Sequence, residues 1–303
     1  MTSANPKSAS AKSASAKSVV VTGASTGIGW GCVKVLAGKG FHVFGSVRKE
    51  ADADRLAKEF GASFTPLIFD VTDEAAVKAG ARQVADRLKD ETLAGLVNNA
   101  GIAVAGPLLH LEISEFRKQM EVNVTAPVIV TQAFAPLLGA APDRKTAAPG
   151  RIVMISSVGG KTGSPFVGPY CASKFALEGL SESLRRELMI YGVDVIVIAP
   201  GAVNTPIWDK ADSVDVTPYA NTPYRQALDN VRTYMIEIGR AGFPPERIGK
   251  AVHVALTAPN PKTRYVVTPQ PLTNWLGLNL PKRFFDKQVA KRLGLERLGL
   301  ERQ

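Results

Sequence analysis

The chain has 303 residues, 45% of them hydrophobic, which is enough to bury the core of one α/β domain. Two cysteines, Cys32 and Cys171, show no paired spacing, which excludes a disulfide-stapled scaffold and is typical of a reducing compartment. The net charge of +10 is concentrated at the ends: residues 1–18 carry +3, residues 271–303 carry +4, and the remaining body carries +3. This distribution argues against a nucleic-acid-binding surface on the domain, and we expect no nucleic-acid partner.

Residues 1–18 repeat Ala-Lys-Ser and contain no aromatic residue, so we expect a disordered N-terminal arm. An organelle transit peptide is the alternative for this acid-poor stretch, although the arm lacks arginine. No apolar run approaches the ~20 residues that span a bilayer, so we expect no transmembrane helix. We therefore expect a cytoplasmic protein, with organelle targeting by the arm left open.

From Val19 onward, short apolar runs alternate with segments of helical periodicity. Strands are predicted over 19–22, 41–47, 63–69, 93–98, 150–156 and 193–199, with a last strand at 265–267. Helices are predicted over 27–38, 52–59, 73–88, 112–138, 169–190 and 244–257. This alternation predicts a doubly wound parallel sheet of the α/β class, forming one Rossmann-like domain over residues 19–270. In such folds the ligands lie at the carboxyl ends of the strands.

Three segments depart from this alternation. Residues 139–150 are polar and rich in breakers, and they are predicted to form a surface loop. Residues 202–243 are aromatic and irregular, which is typical of a substrate-binding loop region over an apolar ligand; packing of the aromatic side chains onto the body is an equal alternative. Residues 271–303 form a C-terminal extension with an amphipathic helix from Lys282. We expect it to pack on the body or a partner subunit, with a membrane surface as the alternative.

Two motifs carry the chemistry. After the first predicted strand, residues 22–29 read Thr-Gly-Ala-Ser-Thr-Gly-Ile-Gly, and these glycines let a phosphate approach the backbone amides at the start of the next helix. Further on, Tyr170 and Lys174 stand four residues apart, which places a phenol and an amine on one face of a helix. An ammonium beside a phenol favours the phenolate, so Tyr170 could exchange a proton with a carbonyl or an alcohol.

With Asn98-Asn99-Ala100-Gly101, Asn123, Ser157 and Pro200-Gly201, these motifs resemble the short-chain dehydrogenase/reductase family over about residues 18–270. The resemblance implies an NAD(P)-dependent oxidoreductase that transfers hydride between nicotinamide and a carbonyl or secondary alcohol. A loose similarity to the steroid, retinoid and hydroxyacyl branch implies a hydrophobic substrate. The family also implies a homodimer or homotetramer. A dinucleotide-binding sensor or scaffold that has lost catalysis is the alternative.

The resemblance assigns four catalytic roles. Tyr170 exchanges the proton, and Ser157 holds the substrate oxygen, thirteen residues before it; the neighbouring Ser156 fits this spacing less well. Lys174 lowers the tyrosine pKa and holds the nicotinamide ribose, while Asn123 bends its helix and anchors a water that relays protons. No His, Cys or carboxylate cluster predicts a metal. The residues assigned to the cofactor are Gly23, Ser25, Thr26, Gly27, Ile28, Gly29, Arg48, Asp70, Val71, Asn98, Ala100, Gly101, Tyr170, Lys174, Pro200, Gly201, Val203 and Thr205.

The end of the second predicted strand bears on the choice between NADP and NAD. Residues 45–49 read Gly-Ser-Val-Arg-Lys, without the acid at Val47 that would accept the ribose hydroxyls and repel a 2′-phosphate. Arg48 could instead pair with that phosphate, so NADP is predicted, with NAD as the alternative. Thr26 counts against this, because many NADP-preferring relatives carry a basic residue there. The resemblance implies that Asp70 accepts from the adenine amino group; the stretch Asp70-Val71-Thr72-Asp73 also caps the following helix, and both roles can hold.

Overall fold

The structure is a computed structural model that describes residues 17–143, 148–212 and 215–296. Most of the N-terminal arm, part of the 139–150 loop and the end of the extension lie outside these ranges. Seven strands form one parallel sheet in the order β3-β2-β1-β4-β5-β6-β7. They are β1 (Ser18–Val21), β2 (His42–Val47), β3 (Phe64–Ile68), β4 (Gly95–Asn98), β5 (Arg151–Ile155), β6 (Asp194–Pro200) and β7 (Arg264–Val267). The predicted doubly wound parallel sheet is therefore confirmed.

Helices cover both faces of this sheet. One face carries α1 (Gly27–Ala37), α2 (Glu50–Phe60) and α9 (Pro245–Thr257), and the other carries α3 (Glu74–Leu88), α5 (Ala126–Phe134) and α6 (Gly168–Glu187). Because side chains alternate along a strand, Val19 and Val21 of β1 enter the first core while Val20 enters the second. The strand order reverses between β1 and β4, which opens a crevice at their carboxyl ends.

The predicted helix 112–138 is interrupted at its centre. It consists of α4 (Ile113–Met120), a π turn over Glu121–Thr125, then α5 and a 3-10 turn over Ala135–Leu138. Among the described residues, this Ile113–Leu138 stretch is the one helix long and apolar enough to cross a membrane by length and composition alone. Core helices meet the same criterion, and here Val130, Phe134 and Leu138 are buried against the sheet.

Smaller boundary differences occur elsewhere. Ser18, assigned to the arm by the sequence, is the first residue of β1 and pairs with His42. The predicted helix 169–190 ends as α6 at Glu187 and continues as a 3-10 turn. Ser18 belongs to β1 because its backbone pairs with the neighbouring strand. Helix α6 ends earlier than predicted because its last turn tightens into a 3-10 turn.

The substrate-binding loop region (202–243) and the C-terminal extension share a third hydrophobic cluster, in addition to the two cores on either face of the sheet. The region contains α7 (Ile207–Asp212) and α8 (Arg225–Arg240), and the extension contains α10 (Pro271–Asn279) and α11 (Lys282–Leu293). Leu293 is buried with Leu228 and Val231 of α8. The Asn230 side chain donates to the Leu293 carbonyl (3.3 Å), and the Arg292 guanidinium lies 4.2 Å from the centre of the Tyr234 ring. The amphipathic helix thus packs on the body through α8.

Candidate active site

A tight glycine turn joins β1 to α1. Gly23 and Gly27 have φ values of +65° and +58°, in the left-handed region that disfavours a side chain. A Cβ on Gly29 would lie 2.1 Å from the Gly23 carbonyl oxygen, so the turn closes only with glycine there. At the start of α1, Thr26 makes no side-chain capping bond and the first turn carries no acid. This helix end therefore fits an anionic phosphate.

Side chains from β4 and β2 hold the glycine turn in place. The Thr22 hydroxyl accepts from the backbone N–H groups of Asn99 (2.9 Å) and Ala100 (3.0 Å). In return, the Asn99 side chain donates to the Thr22 and Gly23 carbonyls at 2.8 and 3.2 Å. The Gly23 N–H donates to the Ser46 hydroxyl at 3.0 Å. Thr22, Ser46 and Asn99 were missing from the predicted site, although all three lie inside the motifs at 22–29, 45–49 and 98–101.

The prediction placed Asn98 at the cofactor, but its side chain lies in the core on the sheet face that carries α3, α5 and α6. Its amide donates to the Thr131 hydroxyl (3.1 Å) and to the Met154 sulfur (3.4 Å), and the residue is buried. As the last residue of β4, it points to the face opposite Asn99. Only the Asn98 backbone therefore remains available to a ligand in the crevice.

Arg48 and Asp70 lie together beyond the ends of β2 and β3. Their charged groups are 3.8 Å apart, and both side chains are exposed. Partial burial raises the pKa of Asp70, but hydrogen bonds from the Thr72 backbone and hydroxyl, together with Arg48, outweigh it and leave the pKa below its usual value. Asp73 caps α3 by accepting from the Ala76 N–H at 2.9 Å, so the cap predicted within residues 70–73 is confirmed.

Ser157 and Tyr170 meet around Gly159. A Cβ built on Gly159 would lie 3.4 Å from the Ser157 hydroxyl oxygen, 3.6 Å from Cε1 of Tyr170 and 3.6 Å from the Cys171 sulfur. Ser157 follows β5 and its hydroxyl accepts from the Gly159 N–H at 3.0 Å, while Tyr170 lies in the first turn of α6. Within the described chain, the buried Ser156 hydroxyl has no hydrogen-bond partner and lies beside Gly160 instead. The geometry therefore favours Ser157 over Ser156.

The pKa of Tyr170 is shifted in the direction opposite to the prediction. Burial raises it, while a hydrogen bond with Ser157 opposes the shift. The Lys174 ammonium does not reverse this effect, because its Nζ donates to the Ile155 carbonyl at 2.8 Å and lies 5.8 Å from the centre of the Tyr170 ring. Burial also lowers the pKa of Lys174 from 10.5 to about 8, although the carboxylate of Glu178 acts to raise it. The phenol of Tyr170 is thus protonated at neutral pH.

Asn123 occupies the π turn and connects two parts of the site. Its side-chain oxygen accepts from the Ile102 N–H at 2.9 Å, and its amide donates to the Ile102 carbonyl and the Ser173 hydroxyl, both at 3.0 Å. The Ser173 hydroxyl then donates to the Tyr170 carbonyl at 2.7 Å. Asn123 thereby ties the segment after β4 to the first turn of α6. Ser173 was not predicted, since a serine inside a helix gives no distinctive signal.

The segment after β6 returns to the glycine turn. The Gly201 N–H donates to the Val267 carbonyl (2.9 Å), and Val203 is buried and bridges to Phe243. A Cβ on Gly27 would lie 3.3 Å from the Thr205 side chain. The structure therefore brings Thr205 to the same crevice as Gly27. The remaining predicted cofactor residues lie at or just after strand ends: Pro200 ends β6, Ser25, Val71 and Gly101 follow β1, β3 and β4, and Ile28 lies in the first turn of α1.

A parallel sheet with a glycine turn at its crossover, with a half-buried tyrosine and a buried serine and lysine beside it, defines a dinucleotide-binding oxidoreductase. Among the described residues, no group of His, Cys, Asp or Glu side chains could hold a metal ion. The profile of the short chain dehydrogenase family matches residues 17–215, about two thirds of the chain.

Similar proteins point the same way. The NADPH-dependent 3-dehydrocapnine reductase of Ornithobacterium rhinotracheale is 43% identical over 276 residues, covering 90% of this chain and 96% of the relative. Retinol dehydrogenase 5 of Mus musculus is 33% identical over 281 residues, covering 88% and 86%. A short-chain dehydrogenase structure from Streptomyces avermitilis matches with a TM-score of 0.73 at 26% identity, covering 92% of this chain and 95% of that one. The chain belongs to the short-chain dehydrogenase family and is an NAD(P)-dependent oxidoreductase.

Proposed function

We propose that this protein is an NADP(H)-preferring carbonyl reductase for a hydrophobic substrate, with Tyr170 as the proton donor. The observation that carries the proposal is the close approach of Ser157 and Tyr170 at Gly159, with Lys174 one turn further along α6. The relative named as an NADPH-dependent reductase supports both the cofactor and the direction of reaction.

The residues of the crevice fit a dinucleotide. The glycine turn and the uncapped start of α1 would hold the pyrophosphate, and the exposed Arg48 would turn from Asp70 to a 2′-phosphate. Asp70 would accept from the adenine amino group, and Val203 and Thr205 would contact the carboxamide. When bound, NADPH supplies the hydride that reduces the carbonyl carbon.

The protein's own residues supply the proton. Because burial raises the pKa of Tyr170, its O–H is intact at neutral pH and can be donated to the carbonyl oxygen as negative charge develops there. The Ser157 hydroxyl would hold that oxygen by a hydrogen bond. Lys174 would hold the ribose and stabilise the tyrosinate that remains after transfer, and Asn123 keeps the first turn of α6 in place through Ser173.

Aromatic side chains in and beside the segment between Ser157 and Tyr170 support a hydrophobic substrate. Phe166 lies between Ser157 and Tyr170 in the chain, is buried, and accepts from the Gly106 N–H through its carbonyl at 2.7 Å. Its ring packs edge-on against Tyr224, with the centres 5.8 Å apart. A Cβ on Gly106 would lie 2.6 Å from the Tyr219 hydroxyl, so Tyr219 reaches the same wall. An apolar wall of this kind favours an apolar ligand.

A substrate panel with a matched pair of variants tests the function. Consumption of NADPH and NADH is followed with ketones and aldehydes of increasing chain length. Tyr170→Phe should abolish turnover and leave NADPH binding nearly intact, because only the proton donor is removed. Tyr234→Phe, the same change in the ring beside Arg292, is the control and should behave like wild type. Near-normal turnover in Tyr170→Phe would overturn the mechanism.

We also propose a homodimer, alone or within a tetramer, built on α4–α5 and α6. Exposed apolar side chains on these helices, among them Ile113 and Phe175, support it. Light scattering at micromolar concentration tests the assembly, and a monomer would contradict it.

We further propose a cytoplasmic location with the extension packed on the body, as the burial of Leu293 supports. The exposed Leu272, Trp275, Leu278 and Phe284 give the membrane alternative its basis. Binding to anionic vesicles that disappears when the chain is cut after Pro281 would favour that alternative. Absence of vesicle binding at full length would support packing.

A further inference from the structure

The C-terminal extension packs into the same cluster as the segment 158–169, which joins Ser157 to Tyr170. In the third hydrophobic cluster, Phe166 of that segment is buried together with Leu293 of α11. The buried members contributed by α8 are Ala227, Leu228 and Val231. The extension and the segment before the proposed proton donor therefore belong to one apolar unit, although they are far apart in the chain.

Phe166 has a backbone conformation that a bulky side chain disfavours. Its φ of +62° lies in the left-handed region, where glycine is the usual residue. Two contacts hold it there: its carbonyl accepts from the Gly106 N–H at 2.7 Å, and its ring packs edge-on against Tyr224. A non-glycine residue persists in this region only where its surroundings determine it, and such residues are concentrated at ligand sites. The position of the Phe166 ring is thus set by its neighbours.

The ring also stands where two loops meet at the carboxyl ends of the strands. Gly106 and Leu108 belong to the segment that follows β4, whereas Phe166 and Gly168 belong to the one that follows β5. A Cβ on Gly168 would lie 2.8 Å from the Leu108 side chain, two residues from the hydrogen bond between Gly106 and Phe166. Parallel sheets bind their ligands at this edge, so Phe166 lies on the substrate side of the molecule.

Helix α10 brings the extension to the same segment at a second point. A Cβ on Gly277 would lie 3.8 Å from the Thr162 side chain and 3.4 Å from the Phe285 ring of α11. Gly277 is the buried residue of α10, whereas Trp275 is exposed. The extension therefore lies beside both halves of the segment, near Thr162 by α10 and near Phe166 by α11 and α8.

This packing gives the extension control over the apolar wall of the proposed substrate site. Phe166 is the member of the third cluster that belongs to that wall, and in a close-packed interior each side chain sets the space its neighbours fill. Leu293 is also fixed to α8 through its carbonyl, which accepts from the Asn230 amide at 3.3 Å. The place of α11 on α8 therefore determines how far the Phe166 ring stands from Ser157 and Tyr170.

We propose that the C-terminal extension sets the depth of the substrate site, with Leu293 as a positioning residue that holds Phe166 through α8. The apolar chain of a ketone or aldehyde held at Ser157 and Tyr170 ends against Phe166, and the extension fixes where it ends. The inference rests on the proposed function, since it concerns the substrate of that same site.

The test compares kcat/KM with NADPH for aldehydes and methyl ketones of increasing chain length in wild type and Leu293→Ala. Removing volume behind Phe166 lets the ring withdraw, so the ratio of kcat/KM for the longest substrate to that for the shortest should rise by roughly tenfold. Phe166→Leu makes the wall smaller directly and should shift the ratio in the same direction. Leu293→Met keeps the volume and should restore the wild-type ratio. NADPH affinity, followed by fluorescence titration, should be unchanged in all three variants.

Leu88→Ala is the matched control. Leu88 is buried like Leu293, but it is the last residue of α3, a helix that runs back from the carboxyl ends of the strands to the opposite edge of the sheet. Its truncation should lower stability without reaching the substrate site. The dependence of kcat/KM on chain length should therefore match that of wild type.

The outcomes separate a role in specificity from a structural one. A uniform fall in kcat/KM across all substrates in Leu293→Ala, with the ratio unchanged, would overturn the proposal, as would the same shift in Leu88→Ala. If Leu293→Ala does not fold, Leu293→Val decides: a smaller rise in the ratio supports the proposal and an unchanged ratio overturns it. Near-normal turnover in Tyr170→Phe would refute the proposed function, whereas an inactive Tyr170→Phe with an unshifted Leu293→Ala would refute this inference alone.

Discussion

Two ion pairs differ mainly in their exposure to water, one on α6 with the proposed catalytic residues and the other beyond β2 and β3, where the proposed adenosine contacts lie. At the catalytic end, Arg264 and Glu178 are 2.9 Å apart with side chains 24% and 6% exposed. At the adenosine end, Arg48 and Asp70 are 3.8 Å apart with side chains 72% and 44% exposed. The same chemical pair is therefore enclosed at one site and solvated at the other.

This difference assigns the two pairs different functions. An exposed pair contributes little to stability, so Arg48 can exchange Asp70 for a phosphate at small cost. An enclosed pair cannot rearrange cheaply, because separating it leaves a buried charge without compensation. Under the proposed function, the pair on α6 is therefore fixed before the cofactor binds, whereas Arg48 leaves Asp70 to bind the 2′-phosphate.

The largest effect is expected from removing the buried ammonium. Lys174→Met should lower turnover by roughly 10²–10⁴-fold and weaken NADPH binding as well, because one charge serves both tasks. Steady-state kinetics and fluorescence titration measure the two effects. Lys78→Met, which removes an exposed lysine paired with Glu74, is the control and should change neither. Turnover lost with affinity fully retained would mean that Lys174 does not touch the cofactor.

The buried ammonium should also appear in the pH dependence of stability. Burial lowers the pKa of Lys174 from 10.5 to about 8, so between these values the unfolded chain binds more protons than the folded one. The free energy of unfolding gained from this group therefore rises as the pH rises through that window, by on the order of 3 kcal/mol in total. Burial raises the pKa values of Cys32 and Tyr170, and these two groups lower the free energy of unfolding as the pH rises. The contribution of Lys174 is therefore isolated by subtracting the stability of a variant that lacks it. Denaturant titrations of wild type minus Lys174→Met should show the rise; a flat difference would contradict an enclosed, desolvated ammonium.

At the exposed end a smaller change is expected. Arg48→Ala should reduce the preference for NADPH over NADH by about tenfold, since one charge-assisted pair with the 2′-phosphate is lost. The ratio of the two kcat/KM values measures it. Lys49→Ala and the double variant show whether the neighbouring lysine shares the phosphate. A wild type that prefers NADH, or an Arg48→Ala variant with unchanged preference, would refute the NADP assignment.

The smallest expected effect is the response to salt. Raising ionic strength from about 0.05 to about 0.5 M should weaken NADPH binding more than NADH binding, because solvated charges are screened and enclosed ones are not. Titrations at several potassium chloride concentrations measure both. Equal salt sensitivity of NADPH binding and NADH binding would contradict a contact between the solvated Arg48 and the 2′-phosphate.

The sequence predicted what local patterns control. The alternation of apolar runs predicted the parallel sheet, and the spacing of Ser157, Tyr170 and Lys174 predicted that these three side chains lie close together, as they do in the structure. Strand alternation also separates Asn98 from Asn99: the Asn98 side chain lies in the core, and the Asn99 side chain, which the prediction left out, holds the glycine turn. Prediction therefore worked where a motif and a regular period reinforced each other.

What the sequence did not show depends on contacts between distant segments. The pairing of Glu178 with Arg264 has no local signature, because an acid in a helix and a base in a strand are each ordinary. The direction of the Tyr170 pKa shift depended on how completely the fold buries the phenol, which Tyr-x-x-x-Lys spacing does not contain. Similarly, Thr22 belongs to the site because the backbone N–H groups of Asn99 and Ala100, just after β4, donate to its hydroxyl.

The π turn at Asn123 sets a limit on how the long helix can vary. The Ala126 N–H bonds to the Glu121 carbonyl, so the turn holds one residue more than an α-helical turn. Each residue advances an α-helix by about 100°, and the extra one resets the angular phase between the segments before and after it. Deleting a single residue from 121–125 would therefore rotate Phe134 and Leu138 away from the sheet or swing Asn123 out of the crevice. The π turn changes the angular phase of the long helix, so Asn123 can face the crevice while Phe134 and Leu138 face the core.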